Sequence, residues 1–124
     1  MTVRDDFELM AWDLATVSGA LSEIATTWRR AAPGRPDLPL GLPVRLAAMA
    51  EGLAADARSL AGTGTGAEPG LAASVSLRMS QLSEGTAYAR SITSGRDATG
   101  VGDAPLWELV HPALRRTGDC LAAA

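Results

Sequence analysis

Apolar side chains recur along the first quarter of the chain at alternating spacings of four and three: Val3, Phe7, Met10, Leu14, Val17, Leu21, Ile24 and Trp28. An α-helix returns to the same face every 3.6 residues, so eight positions in this rhythm predict one long helix with a coiled-coil-type seam. Thr2 followed three residues later by Asp5 resembles a capping box with Asp in place of Glu. Asp5, Asp6 and Glu8 set negative charge against the positive end of the helix dipole. Pro33, Gly34 and Pro36 stop the helix, which is predicted over roughly 3–32 and about 40 Å long.

From Pro33 to Pro43 the chain holds four prolines and two glycines, which predicts a stiff, extended or turning connection. A second helix is predicted over 43–61, with Pro43 in its first turn and Leu42, Leu46, Met49, Leu53, Ala57 and Leu60 on one face. Gly62, Gly64 and Gly66, spaced by threonines, end it. No strand precedes that run and no Lys follows it, so it reads as a linker and not as a phosphate loop. A third helix is predicted over 69–94 through Ala72, Val75, Met79, Leu82, Thr86, Ala89 and Ile92. Its many serines are either solvated or leave room for a close helix neighbour. Gly95, Gly100 and Gly102, with Arg96 and Asp97, make the next loop.

A fourth helix is predicted over 104–122, with Asp103 as N-cap and Pro105 in the first turn. Pro112 removes a backbone donor and disfavours helical geometry at His111, which predicts a kink or break there. The remainder is expected to fray from Ala122 to Ala124. No stretch alternates apolar and polar residues long enough to be a strand, and no internal repeat is found. The pattern therefore predicts an all-α, four-helix bundle with long first and third helices and a proline-kinked fourth, forming a single domain over residues 1–124.

Composition changes this picture in three ways. Apolar residues make up 47% of the chain but aromatics only 4%, so the core is built of Ala, Leu and Val and is thin. All eleven basic residues are Arg, with no Lys and no Asn, as in the proteins of a GC-rich, actinobacterial-type genome. A net charge of -3 argues against a nucleic-acid partner, because phosphate binding needs a basic face. The pairs Arg29-Arg30 and Arg115-Arg116 are each expected at a helix C-terminus, where cations complement the dipole.

No segment approaches the roughly 20 apolar residues of a membrane span, and the acidic start is unlike a secretory signal. The expectation is a cytoplasmic chain, with signal-peptide-independent export as the alternative.

Candidate chemistry is sparse. His111 is the single histidine and Glu108 lies three residues before it, the spacing of the Glu-x-x-His element in carboxylate-bridged metal bundles. Such sites need two of these elements and further glutamates, whereas Glu8, Glu23, Glu51, Glu68 and Glu84 fall mostly on polar faces. No metal or cofactor is expected. Cys120 lacks a local histidine to lower its pKa and reads as inert. With no acid-base cluster, catalysis is not expected either.

The tryptophans are more informative. Trp28 belongs to the first helix's seam. Trp12 lies on the opposite face, with Leu9 one turn before it and Ala15, Thr16 and Gly19 around it. An apolar patch on the back of an amphipathic helix must pack against a second layer of the bundle or against a partner. Trp107, beside Leu106, raises the same question for the fourth helix.

Long antiparallel helices with a heptad seam, an Ala/Ser/Thr-rich composition, an acidic balance and no signal peptide resemble the Trp-x-Gly family of small type VII secretion proteins. That resemblance implies helical hairpins that pair with a partner hairpin. Trp28-Arg29-Arg30 stands where the first helix ends, with Arg in place of the family's Gly, and Tyr88 is followed at the fourth position by Ile92 instead of an acid. No functional residue carries over.

Three readings follow. The first is a non-enzymatic helical interaction module, pairing with itself or another helical protein, with Leu9, Trp12 and Trp107 as anchors. The second is a small-ligand or catalytic bundle in which Trp107, Glu108 and His111 line a pocket between helices. The third is a regulatory accessory protein, which differs from the first in the identity of its partner.

Overall fold

The computed structural model describes residues 3–63, 69–93 and 101–123. Thr2, the run from Gly64 to Glu68, the loop from Ser94 to Gly100 and Ala124 lie outside the described residues, as do the side chains of Val3 and Ala72.

Four helices make up the described chain: α1 (Val3–Ala31), α2 (Gly41–Thr63), α3 (Pro69–Thr93) and α4 (Ala104–Ala123). The seam of α1 is buried as its spacing requires, with Met10, Leu14, Val17, Leu21, Ile24 and Trp28 wholly enclosed. Leu46, Leu53, Ala57 and Leu60 of α2 meet it, and Val75, Met79, Leu82 and Ala89 of α3 and Val110 and Ala113 of α4 complete one core. The serines of α3 at 74, 76, 80 and 83 are exposed, so solvation explains them.

The helices stand at the corners of a square. α1 packs along α2 and α4, α2 along α3, and α3 only lightly against α4. Trp28 at the end of α1, Thr93 at the end of α3 and Asp103 at the start of α4 meet at one end of the bundle. At the other end, Glu8 of α1 lies beside Ala61 and Gly62 of α2. Consecutive helices therefore run antiparallel.

Polar ties fix their register. Ser18 Oγ donates to the Ala47 carbonyl across α1 and α2 at 3.1 Å. Arg116 of α4 donates to both carboxylate oxygens of Asp13 in α1, the shortest contact being 3.0 Å. Arg78 of α3 pairs with Asp56 of α2. Alanines such as Ala50, Ala54 and Ala57 let α2 approach closely. Gly85 does the same for α3, since a Cβ there would stand 2.5 Å from a methyl of Leu46.

The connection from Ala32 to Leu40 is a chain of tight turns, with Arg35 and Arg35-bonded Asp37 outside and Leu38 tucked into the core. The Arg35 guanidinium holds the Asp37 carboxyl below its ordinary pKa.

Three expectations are corrected. α2 begins at Gly41, two residues before the predicted start. α4 is not broken at Pro112 and continues as one helix to Ala123. Of the kink or break expected there the break is absent: His111 and Pro112 lie on the exposed side while Val110 and Ala113 are buried, so the core holds both halves in one helix and the missing bond falls on the side facing water. As a result Arg115 and Arg116 sit inside α4 and not in its last turn, and Arg116 serves Asp13 instead of the dipole. Arg29 and Arg30 do occupy the last turn of α1.

Candidate functional site

Among the described residues, nothing covers the second face of α1. Trp12 is 76% exposed and Leu9 45%, and Ala15, Thr16 and Gly19 are exposed with them. α1 presents two apolar faces because its seam turns toward α2, α3 and α4 while the stripe through Trp12 points the other way.

Two depressions run along this outer face, where α1 lies against α2. One, of about 560 Å³, is bounded by Glu8, Ala11, Trp12 and Ala15 of α1 and by Arg58 and Ala61 of α2. The other, of about 340 Å³, lies further along and is floored by small residues, Ser18, Ser22 and Ala25 of α1 with Ala47 and Ala48 of α2. Arg29, Glu51 and the half-exposed Val44 stand at its edge. Leu9 flanks Trp12 but lines neither depression.

Trp107 belongs elsewhere. It is 4% exposed, covered by the chain's own helices, and its indole N–H donates to Asp103 Oδ2 at 2.8 Å. The same oxygen accepts from Trp28 Nε1 at 2.9 Å and from Thr93 Oγ1 at 2.7 Å. A buried indole N–H needs an acceptor, and one carboxylate supplies it to two indoles and a hydroxyl from three helices. Asp103 also opens α4, its carbonyl accepting from Leu106 and Trp107 N–H. The predicted cap is therefore also the buried tie at that end of the bundle. Asp103 four residues before Trp107 was the local part of the signal, whereas nothing near Trp28 in sequence pointed to the same carboxylate.

A third depression, of about 470 Å³, follows the light contact between α3 and α4. Trp107, Val110 and Leu114 line it on α4, and Arg90 of α3 with His111 and Arg115 of α4 bring basic groups to it. Glu108 does not line it and points into solvent, so the expected trio does not converge. Among the described residues, no three His, Cys, Asp or Glu side chains gather where a metal could bind.

Cys120 is partly buried within α4. Burial raises its pKa first, and the negative charges of Asp6, Asp13 and Asp119 raise it further. This arrangement suppresses the thiolate. Among the described residues, no helix is long and apolar enough to cross a membrane.

Compared with protein-family models, curated proteins and solved structures, the chain matches none.

Proposed function

We propose that the protein is a non-enzymatic helical interaction module that docks a helical partner along the outer face of α1 and α2, with Trp12 as its anchor and Leu9 beside it. The observation that carries this reading is a tryptophan 76% exposed next to a groove of about 560 Å³. Tryptophan is the side chain most enriched among residues that dominate binding energy, and leaving it in water forgoes its large apolar area. The helix beneath it is rigid, being anchored by the whole core on its other side, so the anchor is presented ready to dock. Trp107 has no part in this surface.

A cytoplasmic scaffold, a secretion-related chain of the kind the Trp-x-Gly resemblance implies, and a regulatory accessory protein would all use this face and differ only in the partner. Tagged wild-type and Trp12→Ser chains, purified from the native host and compared by sedimentation velocity, test the reading. Complexes formed by the wild type, with itself or with another protein, are expected to weaken or disappear in the variant. If no association depends on Trp12, the reading is wrong.

A second reading is favoured by one specific observation: the groove between α3 and α4 gathers Arg90, His111 and Arg115 over an apolar floor, with no carboxylate among its lining residues. In a chain of net charge -3 this suits a small anionic ligand with an apolar body. Titration of a Trp12→Phe variant with an alkyl carboxylate, followed by tryptophan fluorescence, tests it. Binding that survives Arg90→Gln together with Arg115→Gln, or that a neutral alcohol of equal length reproduces, removes this reading.

A further inference from the structure

The outer stripe of α1 carries both halves of a contact. Glu8, Trp12, Ala15, Gly19, Ser22, Thr26 and Arg29 follow one another at spacings of four, three, four, three, four and three. That is a second heptad rhythm, on the side of α1 away from its buried seam, and all but Thr26 are exposed. The rhythm suits a shallow, left-handed helix crossing.

The order of residues in the stripe is also informative. If a second α1 is laid antiparallel over the first, with the two-fold axis passing between Ser18 and Gly19, residues whose numbers are equally distant from that point face each other. Glu8 then faces Arg29, Trp12 faces Ala25 and Ala15 faces Ser22. Acid meets base at both ends, and each Trp12 stands over the other copy's depression of small residues formed by Ser18, Ser22, Ala25, Ala47 and Ala48. The helices cross at Gly19, where no atom lies within 4 Å of the Cβ position and two backbones can approach. A parallel pairing would instead set Glu8 against Glu8 and Trp12 against Trp12.

From this pattern we infer that the partner is a second copy of the same chain, joined through α1 in an antiparallel, two-fold dimer. The inference rests on the proposed function and names its partner. A two-fold contact closes on itself, so it yields a dimer and not a filament. From Glu8 to Arg29 the stripe is about 32 Å long, and α1 with α2 beside it is about 20 Å wide. The product is on the order of 600 Å² per copy, at the lower end of the range for stable interfaces. A dimer of moderate affinity is expected, in which salt weakens the end pairs.

The test is sedimentation equilibrium of the full chain and four variants, with circular dichroism confirming that each is folded. The wild type is expected to form a dimer, and Trp12→Ser to weaken it about 30-fold or more. Glu8→Arg alone and Arg29→Glu alone each place like charges together and weaken the dimer. The double variant, E8R with R29E, restores the opposite-charge pairs in reversed order and is expected to recover dimerisation. Only an antiparallel contact between identical stripes predicts that recovery.

A wild type that stays monomeric at high concentration overturns the self-pairing, while the interaction reading still stands or falls on Trp12-dependent complexes with another protein. A dimer indifferent to Trp12→Ser overturns self-pairing through this stripe and leaves the interaction reading to the same complexes with another protein. A dimer weakened by Trp12→Ser but not recovered in the double variant overturns the antiparallel register.

Discussion

Asp103 shows how much one side chain can hold. Its Oδ2 accepts from Trp28, Trp107 and Thr93, and its backbone carbonyl opens α4. Gly102 before it has φ +73°, a conformation glycine adopts without strain, and this turns the chain so that the carboxylate points inward. Asp103→Ala would leave two indole N–H groups and a hydroxyl without their acceptor, at roughly 1–3 kcal/mol for each group that water cannot reach. The expected loss is about 3 kcal/mol or more, read as a lower urea midpoint, whereas Asp103→Asn keeps an acceptor oxygen and costs less. Equal loss in both variants would show that the hydrogen bonds are not what Asp103 contributes. The capping role was legible from Asp103 preceding Pro105, but the acceptor role was not. Trp28 lies 75 positions away in sequence, and no local rule connects them.

Among the elements, α4 departs furthest from its local preferences. Proline in a helix interior costs about 3 kcal/mol relative to alanine, yet α4 runs unbroken through Pro112. Burial of Val110, Ala113 and Thr117 keeps the helix in place. Pro112→Ala restores a backbone donor opposite the Glu108 carbonyl and is expected to stabilise the protein by about 2 kcal/mol, less what the freer unfolded chain takes back. Thermal unfolding measures this, and a variant no more stable than the wild type would mean that α4 already accommodates the ring without strain. α1 is the opposite case. Its seam rhythm, its acidic first turn and its basic last turn all agree, so the helix and its buried face could be read from sequence. The second stripe of α1 was visible too, but whether the bundle covered it depended on where α3 and α4 went.

Across the whole molecule, the packing of α4 against α1 sets the chemistry of Cys120. Asp6 and Asp13, far from it in sequence, join Asp119 and burial in raising its pKa. The folded thiol therefore keeps its proton at a pH where the unfolded thiol has lost it. Its contribution to stability is complete below the unfolded pKa and is lost as pH rises through the folded one. Wild type is expected to lose stability across that alkaline window more steeply than Cys120→Ser, and its thiol to react with iodoacetamide more slowly than a free cysteine at neutral pH. Parallel stability profiles for the two proteins, or thiol reactivity like that of free cysteine, would contradict this account. The same packing opens the groove between α3 and α4, because α1 takes most of the surface that α4 can bury.

Sequence by itself determined the all-α class and the four helices, since helix periodicity, proline and glycine act within a turn or two of chain. It also identified the buried seam of α1 and the Trp12 stripe as two separate faces. Tertiary structure alone decided that Trp107 is interior and Trp12 exterior, that Arg116 answers Asp13, and that α4 survives its proline. Each of those outcomes depends on which side chains arrive from distant segments, and on whether their contacts outweigh what the local chain would prefer.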